Sequence, residues 1–358
     1  MDNRRITTDS TLWQPALPFS LSLSLSLSRR ASVSHNKVSI PSFNSLSSTP
    51  SLLVAWELFR RGKRTRRDVL RYERYLEANL FRLEKQLQEG SYRHDKYEPF
   101  TICDPKQRLI HKATVKDRLV HQALVSAIEP SFERHFIHDS FSCRKGKGTH
   151  AAISRLKTFL RQASNNNTKT VYALKCDVKQ FFASVDHGLL RQLLALDIDD
   201  ASILSLLDEV IGSFEMKPGK GIPLGNLTSQ LFANIYLHEL DWCAKHILKA
   251  CRYLRYCDDF IIVSTDRQYL LGLIPQLASF LEERLGLTLH PNKIQLRSWH
   301  QGVDFLGYVA KPHVTVLRHK TKTRMLNKVS EANISSYLGV CSHANAKELS
   351  ELLKMIIV

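Results

Sequence analysis

The chain has 358 residues, 43% of them hydrophobic, enough for one large or two ordinary domains with a substantial core. Fifty-one Lys and Arg against 34 Asp and Glu leave a formal charge of +17, which favours a polyanionic partner, nucleic acid first. The seven cysteines form no CxxC pair and the histidines no HxH or HxxxH spacing, so neither a disulfide framework nor a zinc site is expected; no apolar run reaches the eighteen or so residues of a membrane helix.

Residues 1–54 are Ser-rich, hold no acid between Ser10 and Trp56, and carry the repeat "SLSLSLSLS". They read as a disordered or low-complexity leader, and their basic, acid-poor character also suits an organellar transit peptide. Residues 55–90 turn helical, with Leu76, Leu80, Leu83 and Leu87 at three- and four-residue spacings and Gly90 as a stop. The basic cluster at residues 60–67 suits phosphate contact or a solvated helix face equally. Residues 118–132 predict a helix that Pro130 ends. "CRKGKGTH" then gives a basic, glycine-bearing turn before another helix, and residues 170–178 predict a strand.

That strand ends on Asp177, where a carboxylate packs poorly but suits the edge of a cleft. Phe181 and Phe182 follow on opposite faces of the strand end, one for the core and one for a pocket. Two helical stretches and a turn, "KGIPLGNLTSQ", lead to a long amphipathic helix and then to "RYCDDFIIVS". Here Asp258 and Asp259 sit side by side before an apolar β-branched run, although paired aspartates repel and are poor strand formers. Adjacent strand residues face opposite ways, so the two are not equivalent. Carboxylates from two strands, if they meet, would hold hard cations such as Mg²⁺, and a pair of such ions serves phosphoryl transfer. Eighty residues separate Asp177 from Asp258, so spacing leaves their meeting open. A further helix and a hairpin at residues 303–316 complete a mixed order of strands and helices, which predicts an α+β fold.

Five blocks in order, "LKCDVKQFFASVDH", "GIPLGNLTSQLFANIYLHELD", "RYCDDFIIV", "LTLHPNKIQL" and "VDFLGY", resemble the palm motifs of reverse transcriptases. Upstream, "KQRLIHKATVKDRLVHQAL" and "FIHDSFSCRKGKGTHAA" resemble the fingers blocks of bacterial retroelement enzymes. The resemblance implies a right-hand polymerase: a basic helix and fingers over 55–170, a palm over 171–310, and the start of a short or truncated helical thumb over 311–358. It implies RNA-directed DNA synthesis on an RNA template from a DNA or RNA primer with dNTPs, using two Mg²⁺ ions for which Mn²⁺ can substitute. Asp177 and Asp258 would hold metal, with the Val178 carbonyl as a further ligand and Asp259 in support. Phe182 would gate the sugar, Arg108 with Lys106 would hold the triphosphate, and Lys293 would assist pyrophosphate departure. Arg144, Lys145 and Lys147 would touch template backbone, and Phe305, Gly307 and Tyr308 would form the primer grip.

Most relatives carry Gln where this chain has Leu224, ahead of Gly225 and Asn226 in the nucleotide pocket. That departure resembles the enzymes of diversity-generating retroelements, which implies a small basic accessory protein as partner and a bacterial cytoplasmic setting. A group II intron-like or other bacterial enzyme, which can share parts of these motifs, is the alternative; no maturase, endonuclease or RNase H region is expected in the roughly fifty residues after the primer grip, which speaks against a complete intron-encoded protein. Phe182 speaks against an RNA-directed RNA polymerase, and the three intact aspartates speak against a non-catalytic nucleic-acid-binding remnant.

Overall fold

The computed structural model describes residues 40–103 and 106–357. The expected leader lies outside the described residues as far as 39, and its boundary at 54 is corrected: helices α1 (Phe43–Ser47) and α2 (Thr49–Phe59) begin upstream of it. Serines that suggested disorder here serve helix starts instead. The Ser42 side chain accepts the Ser45 N–H, Pro50 occupies the first turn of α2, and Leu46, Leu52, Ala55, Trp56 and Phe59 are buried. The expected single entry helix is broken by a turn through Gly62 at φ +68° into α2, α3 (Arg67–Glu73) and α4 (Leu76–Gln88); Leu80, Leu83 and Leu87 face inward, and the chain leaves the helix at Gly90, φ +66°.

β1 (Glu98–Ile102) and β2 (Arg108–Lys112) make an antiparallel hairpin, in the segment expected to form the fingers. Helix α5 (Val115–Glu133) runs through Pro130 instead of ending there; the proline stands in its last turn, between buried Ile128 and Phe132. After α6 (Thr149–Ala163) comes β3 (Tyr172–Asp177), then α7 (Phe181–Ser184), α8 (His187–Ala195), α9 (Ala201–Gly212) and α10 (Leu227–Trp242). Phe181 and Phe182 therefore lie on a short helix and not on a strand end. α10 is buried nearly all round.

β4 (Tyr253–Tyr256), β5 (Asp259–Ser264), α11 (Arg267–Leu285) and β6 (Gln295–Ser298) complete the palm. Its sheet runs β4-β5-β3-β6, antiparallel throughout. Central β5 carries Phe260, Ile261 and Ile262 with no exposure, the continuous apolar run of a strand covered on both faces. The expected hairpin is a three-stranded sheet of β7 (Val303–Phe305), β8 (Tyr308–Ala310) and β9 (Thr315–Leu317). Three helices follow, α12 (His319–Lys328), α13 (Ile334–Cys341) and α14 (Lys347–Met355). Their Met325, Cys341 and Leu353 share one core with Leu156 and Phe159 of α6, Leu254 and Ile261 of the palm, and Phe305. Among the described residues no helix is long and apolar enough to cross a membrane.

Candidate active site

Pairing decides what spacing left open. In the β3–β5 ladder Asp177 stands opposite Asp259, and the Val178 N–H donates to the Asp258 carbonyl at 3.2 Å. The β4–β5 hairpin, closed by the pair Tyr256 and Asp259, places Cys257 and Asp258 in a two-residue turn. Three carboxylates from two chain segments thus share the end of the sheet. Asp258 is the turn residue and Asp259 the first of its strand, so their inequivalence comes from the hairpin as well as from alternation.

Burial is the main cause that raises both Asp258 and Asp259 above the ordinary aspartate range, with Asp177 adding repulsion in each case; Asp259 is pushed up to about 6, against the opposing pull of Lys175. Lys293 Nζ lies 2.6 Å from Asp177 Oδ1, and Lys175 Nζ 3.9 Å from Asp259 Oδ1. Among the described residues no group of three His, Cys, Asp or Glu side chains stands at metal-ligating distances. The donor chemistry nevertheless fits a hard divalent cation: all-oxygen, anionic, partly desolvated, and opposed by lysines on flexible stems. Asp177, Asp258 and Asp259 could hold such an ion.

The pH consequence has a definite sign. A carboxylate raised in the folded state binds its proton more tightly there than in the unfolded chain, so its ionisation opposes folding above about pH 6, and that cost fades as pH falls towards 4. Without metal, Asp259→Asn is therefore expected to raise Tm by a few degrees at pH 7.5, with the gain shrinking through pH 6 and absent near pH 4. Thermal melts of both proteins across that range check it; a gain that grew on acidification would contradict the buried-anion environment.

Asp177, Asp259 and Lys293 line a cleft of about 1030 Å³; Asp258, in the adjoining turn, is not part of that lining. Lys106 and Arg108 reach the cleft from the fingers, Lys147 from the turn before α6, Gly307 and Tyr308 from the third sheet, and Arg318 and Lys320 from the start of α12. Positive groups thus face it from three sides.

Several expected contacts are redirected. Arg144 is corrected from a template contact to a structural residue: its guanidinium forks onto Glu133 at 2.7–3.0 Å and donates to the Ile137 and Ser140 carbonyls, which uses its donors internally. Lys145 is highly exposed, 3.6 Å from Glu129, and outside the cleft lining. Lys147 lines the cleft but donates to the His138 carbonyl at 2.9 Å. Phe305 is wholly buried in the core, which corrects its reading as a direct primer contact; the Tyr308 hydroxyl donates to the Val340 carbonyl at 3.0 Å. Phe182 is half-buried, edge-on to buried Phe181 with ring centroids 5.2 Å apart, and its carbonyl accepts the Ile222 N–H at 2.8 Å.

Leu224, Gly225 and Asn226 act first on the fingers. The His111 N–H donates to the Leu224 carbonyl at 3.2 Å, the Asn226 amide donates to the His111 carbonyl at 2.8 Å, and Ile110 presses against Gly225. Asn226 is buried and committed to strand β2, which corrects its reading as a nucleotide contact. His111, Lys175 and the buried Arg255 stand out neither by motif nor by spacing. Arg255 carried a legible signal: a charge within the apolar strand "YLRY" has to find a partner inside.

A profile of the family Reverse transcriptase (RNA-dependent DNA polymerase) matches residues 101–310, and the chain belongs to that family. Its fold is accordingly the right-hand polymerase fold, with fingers hairpin and antiparallel palm followed by helices. Protein YkfC of Escherichia coli (strain K12) is 26% identical, over 57% of this chain and 63% of that protein. The group II intron-encoded protein LtrA of Lactococcus lactis subsp. cremoris is 24% identical, over 71% of this chain and 53% of LtrA. The chain thus spans less than two thirds of either relative. Among solved structures, apo telomerase from Candida tropicalis truncated from its C-terminal domain is similar at a TM-score of 0.47 with 14% identity, over 65% of this chain and 58% of that one.

Proposed function

We propose that this chain is an RNA-directed DNA polymerase that extends a DNA or RNA primer on an RNA template with dNTPs. The observation that carries the reading is the convergence of Asp177, Asp258 and Asp259 at one end of the sheet, with Asp177 and Asp259 lining a cleft rich in lysine and arginine. A polyanionic duplex and a triphosphate are the ligands such walls attract. Asp177 and Asp258, supported by Asp259 and the Val178 carbonyl, would hold two Mg²⁺ or Mn²⁺ ions, which when bound supply charge stabilisation for in-line displacement at phosphorus. Arg108 and Lys106 hold the triphosphate from the fingers side, and a guanidinium fork suits its oxygens. Lys293, beside Asp177, stands ready to neutralise the departing pyrophosphate. Gly307 and Tyr308 bear on the primer strand, and Phe182 excludes a 2′-hydroxyl.

Primer extension by the purified chain on a generic RNA template, with deoxy- and ribonucleotides compared, tests the reading. Extension by dNTPs in Mg²⁺ or Mn²⁺ is expected; binding without extension in either metal would leave a nucleic-acid-binding remnant. Preferential use of ribonucleotides would overturn the role of Phe182.

Within the family we place the chain among enzymes of diversity-generating retroelements, in a bacterial cytoplasm and with a small basic partner protein, on the strength of Leu224. An intron-type enzyme is the second reading, favoured by the likeness to LtrA. A Gln amide can orient a base or nucleotide through directional hydrogen bonds, whereas Leu offers shape alone. Losing an orienting contact of about 1–2 kcal/mol relaxes discrimination roughly ten-fold. Leu224→Gln is therefore expected to lower misincorporation, most at template adenines. Sequencing cDNA from both proteins on one template decides it: equal error rates remove Leu224 as a determinant, and an accurate parent favours the intron-type reading.

A further inference from the structure

Arg255 is among the largest fully buried side chains, and it lies on β4 three residues before Asp258. Its Nε and one terminal nitrogen donate in parallel to the two oxygens of Asp241 on α10, each at 2.6 Å. Asp241, itself fully buried, also accepts the Tyr253 hydroxyl at 2.7 Å. The remaining terminal nitrogen turns the other way. It donates to the carbonyl of Cys257 at 3.1 Å and, more weakly, to Asn234 Oδ1 at 3.4 Å; Asn234 in turn donates to the Ser142 carbonyl at 3.0 Å.

Stability does not account for this pair. A buried ion pair is often matched or bettered by apolar residues of similar volume, and both Arg255 and Asp241 are fully buried. What no apolar residue can do is donate to the Cys257 carbonyl. Cys257 stands at φ +54°, left-handed backbone that a residue with a β-carbon rarely adopts and that persists where its surroundings over-determine it. The next carbonyl, that of Asp258, is held from the opposite side by the Val178 N–H. The turn that presents Asp258 is thus fixed at two successive carbonyls, one by the strand of Asp177 and one by Arg255.

We propose that Arg255, oriented by Asp241, is a positioning residue for Asp258: it fixes the strained Cys257 turn so that the Asp258 carboxylate is presented beside Asp177 for a divalent cation. The proposal rests on the metal-binding reading of the carboxylates given above. Two variants of the full chain test it. Arg255→Lys keeps the charge but loses the fork, so one nitrogen cannot serve both Asp241 and Cys257. The triple variant Arg255→Met, Asp241→Leu, Tyr253→Phe replaces the buried polar set by apolar groups of similar volume.

Mn²⁺ affinity is measured without nucleic acid by electron paramagnetic resonance, with Asp258→Asn as the control for site occupancy. The Mg²⁺ concentration for half-maximal primer extension is measured beside it. Both quantities are expected to worsen roughly ten-fold in the variants, the loss seen when a residue supporting a metal ligand is removed. KM for template–primer should stay unchanged, and the triple variant should melt no lower than the parent. A role confined to folding would instead lower the active fraction equally at every metal concentration. If Arg255→Lys does not fold, the triple variant carries the comparison, and parent-like Mn²⁺ affinity and Mg²⁺ dependence in a folded variant overturn the proposal. A parent that binds Mn²⁺ at Asp258 yet extends no primer would overturn the polymerase reading and leave the positioning role standing.

Discussion

Asp177→Asn and Asp258→Asn are each expected to reduce Mg²⁺-dependent primer extension by roughly 10²–10³-fold or more, while template–primer affinity stays within about two-fold. The two effects separate because they belong to different groups. Affinity comes from the lysines and arginines that face the cleft from fingers, palm and C-terminal helices, and an amide in place of one carboxylate leaves them untouched. In the proposed reaction, catalysis depends on concentrated negative charge at the end of the sheet, where Asp177 and Asp259 are opposed in register and Asp258 is one residue away in the turn.

The same variants are not expected to lose stability without metal. Burial and mutual repulsion already push Asp258 and Asp259 up, so removing one charge relieves the cluster. Gel-based extension, a binding titration and a thermal melt on each protein make the check. Undiminished extension by either variant in Mg²⁺ would remove the carboxylates from the reaction, and a large fall in template affinity would mean that they organise the cleft instead.

Gly225→Ala is the second large effect. Gly225 sits at φ +101°, and a β-carbon there would lie 2.6 Å from Ile110 Cγ2, closer than any real contact. Ile110 belongs to β2, whose next residue, His111, is bonded through its N–H and carbonyl to Leu224 and Asn226. Alanine therefore forces the Ile110 side chain, the turn or strand β2 to shift, and a shift of β2 carries with it Arg108, two residues before Ile110, which lines the cleft. A displacement of about 1 Å in a positioning group costs on the order of 10²-fold in rate. kcat/KM for dNTP is expected to fall by about that factor with KM for template–primer little changed, and Tm should drop by several degrees because a strained φ is added to the clash. Ile110→Ala in the same chain should recover part of the loss by removing the methyl that is struck. Full activity in the single variant would show that the fingers hairpin does not take its position from this turn.

Residue type and local order were enough to find Asp177, Asp258 and Asp259, because each breaks a local rule: a carboxylate ending an apolar strand, and a self-repelling pair opening one. The β3 and β5 strands, helix α6 after its glycine turn and the stop at Gly90 were legible for a related reason, since period, β-branched content and left-handed glycines act over a few residues. The five ordered blocks likewise carried the family. Errors of the same reading were local rules overridden by packing: serines at 42–48 start helices whose apolar faces are buried, and Pro130 stays within a helix anchored on both sides of it.

Tertiary structure alone decided which polar groups are spent internally. Arg144 and Lys147 look alike in "CRKGKGTH", yet one is consumed by Glu133 and two carbonyls while the other lines the cleft. Asn226 could have faced a nucleotide, but its amide goes to a carbonyl 115 residues away, and Lys293 meets Asp177 across 116 residues. Arg255 and Asp241 are only 14 apart, but a helix end and a strand must pack before their charges can meet. Backbone preference and apolar period are properties of a short window of chain. Hydrogen-bond and charge partners are fixed only once distant segments are packed, because a buried polar group must then find whichever neighbour the fold has brought within reach.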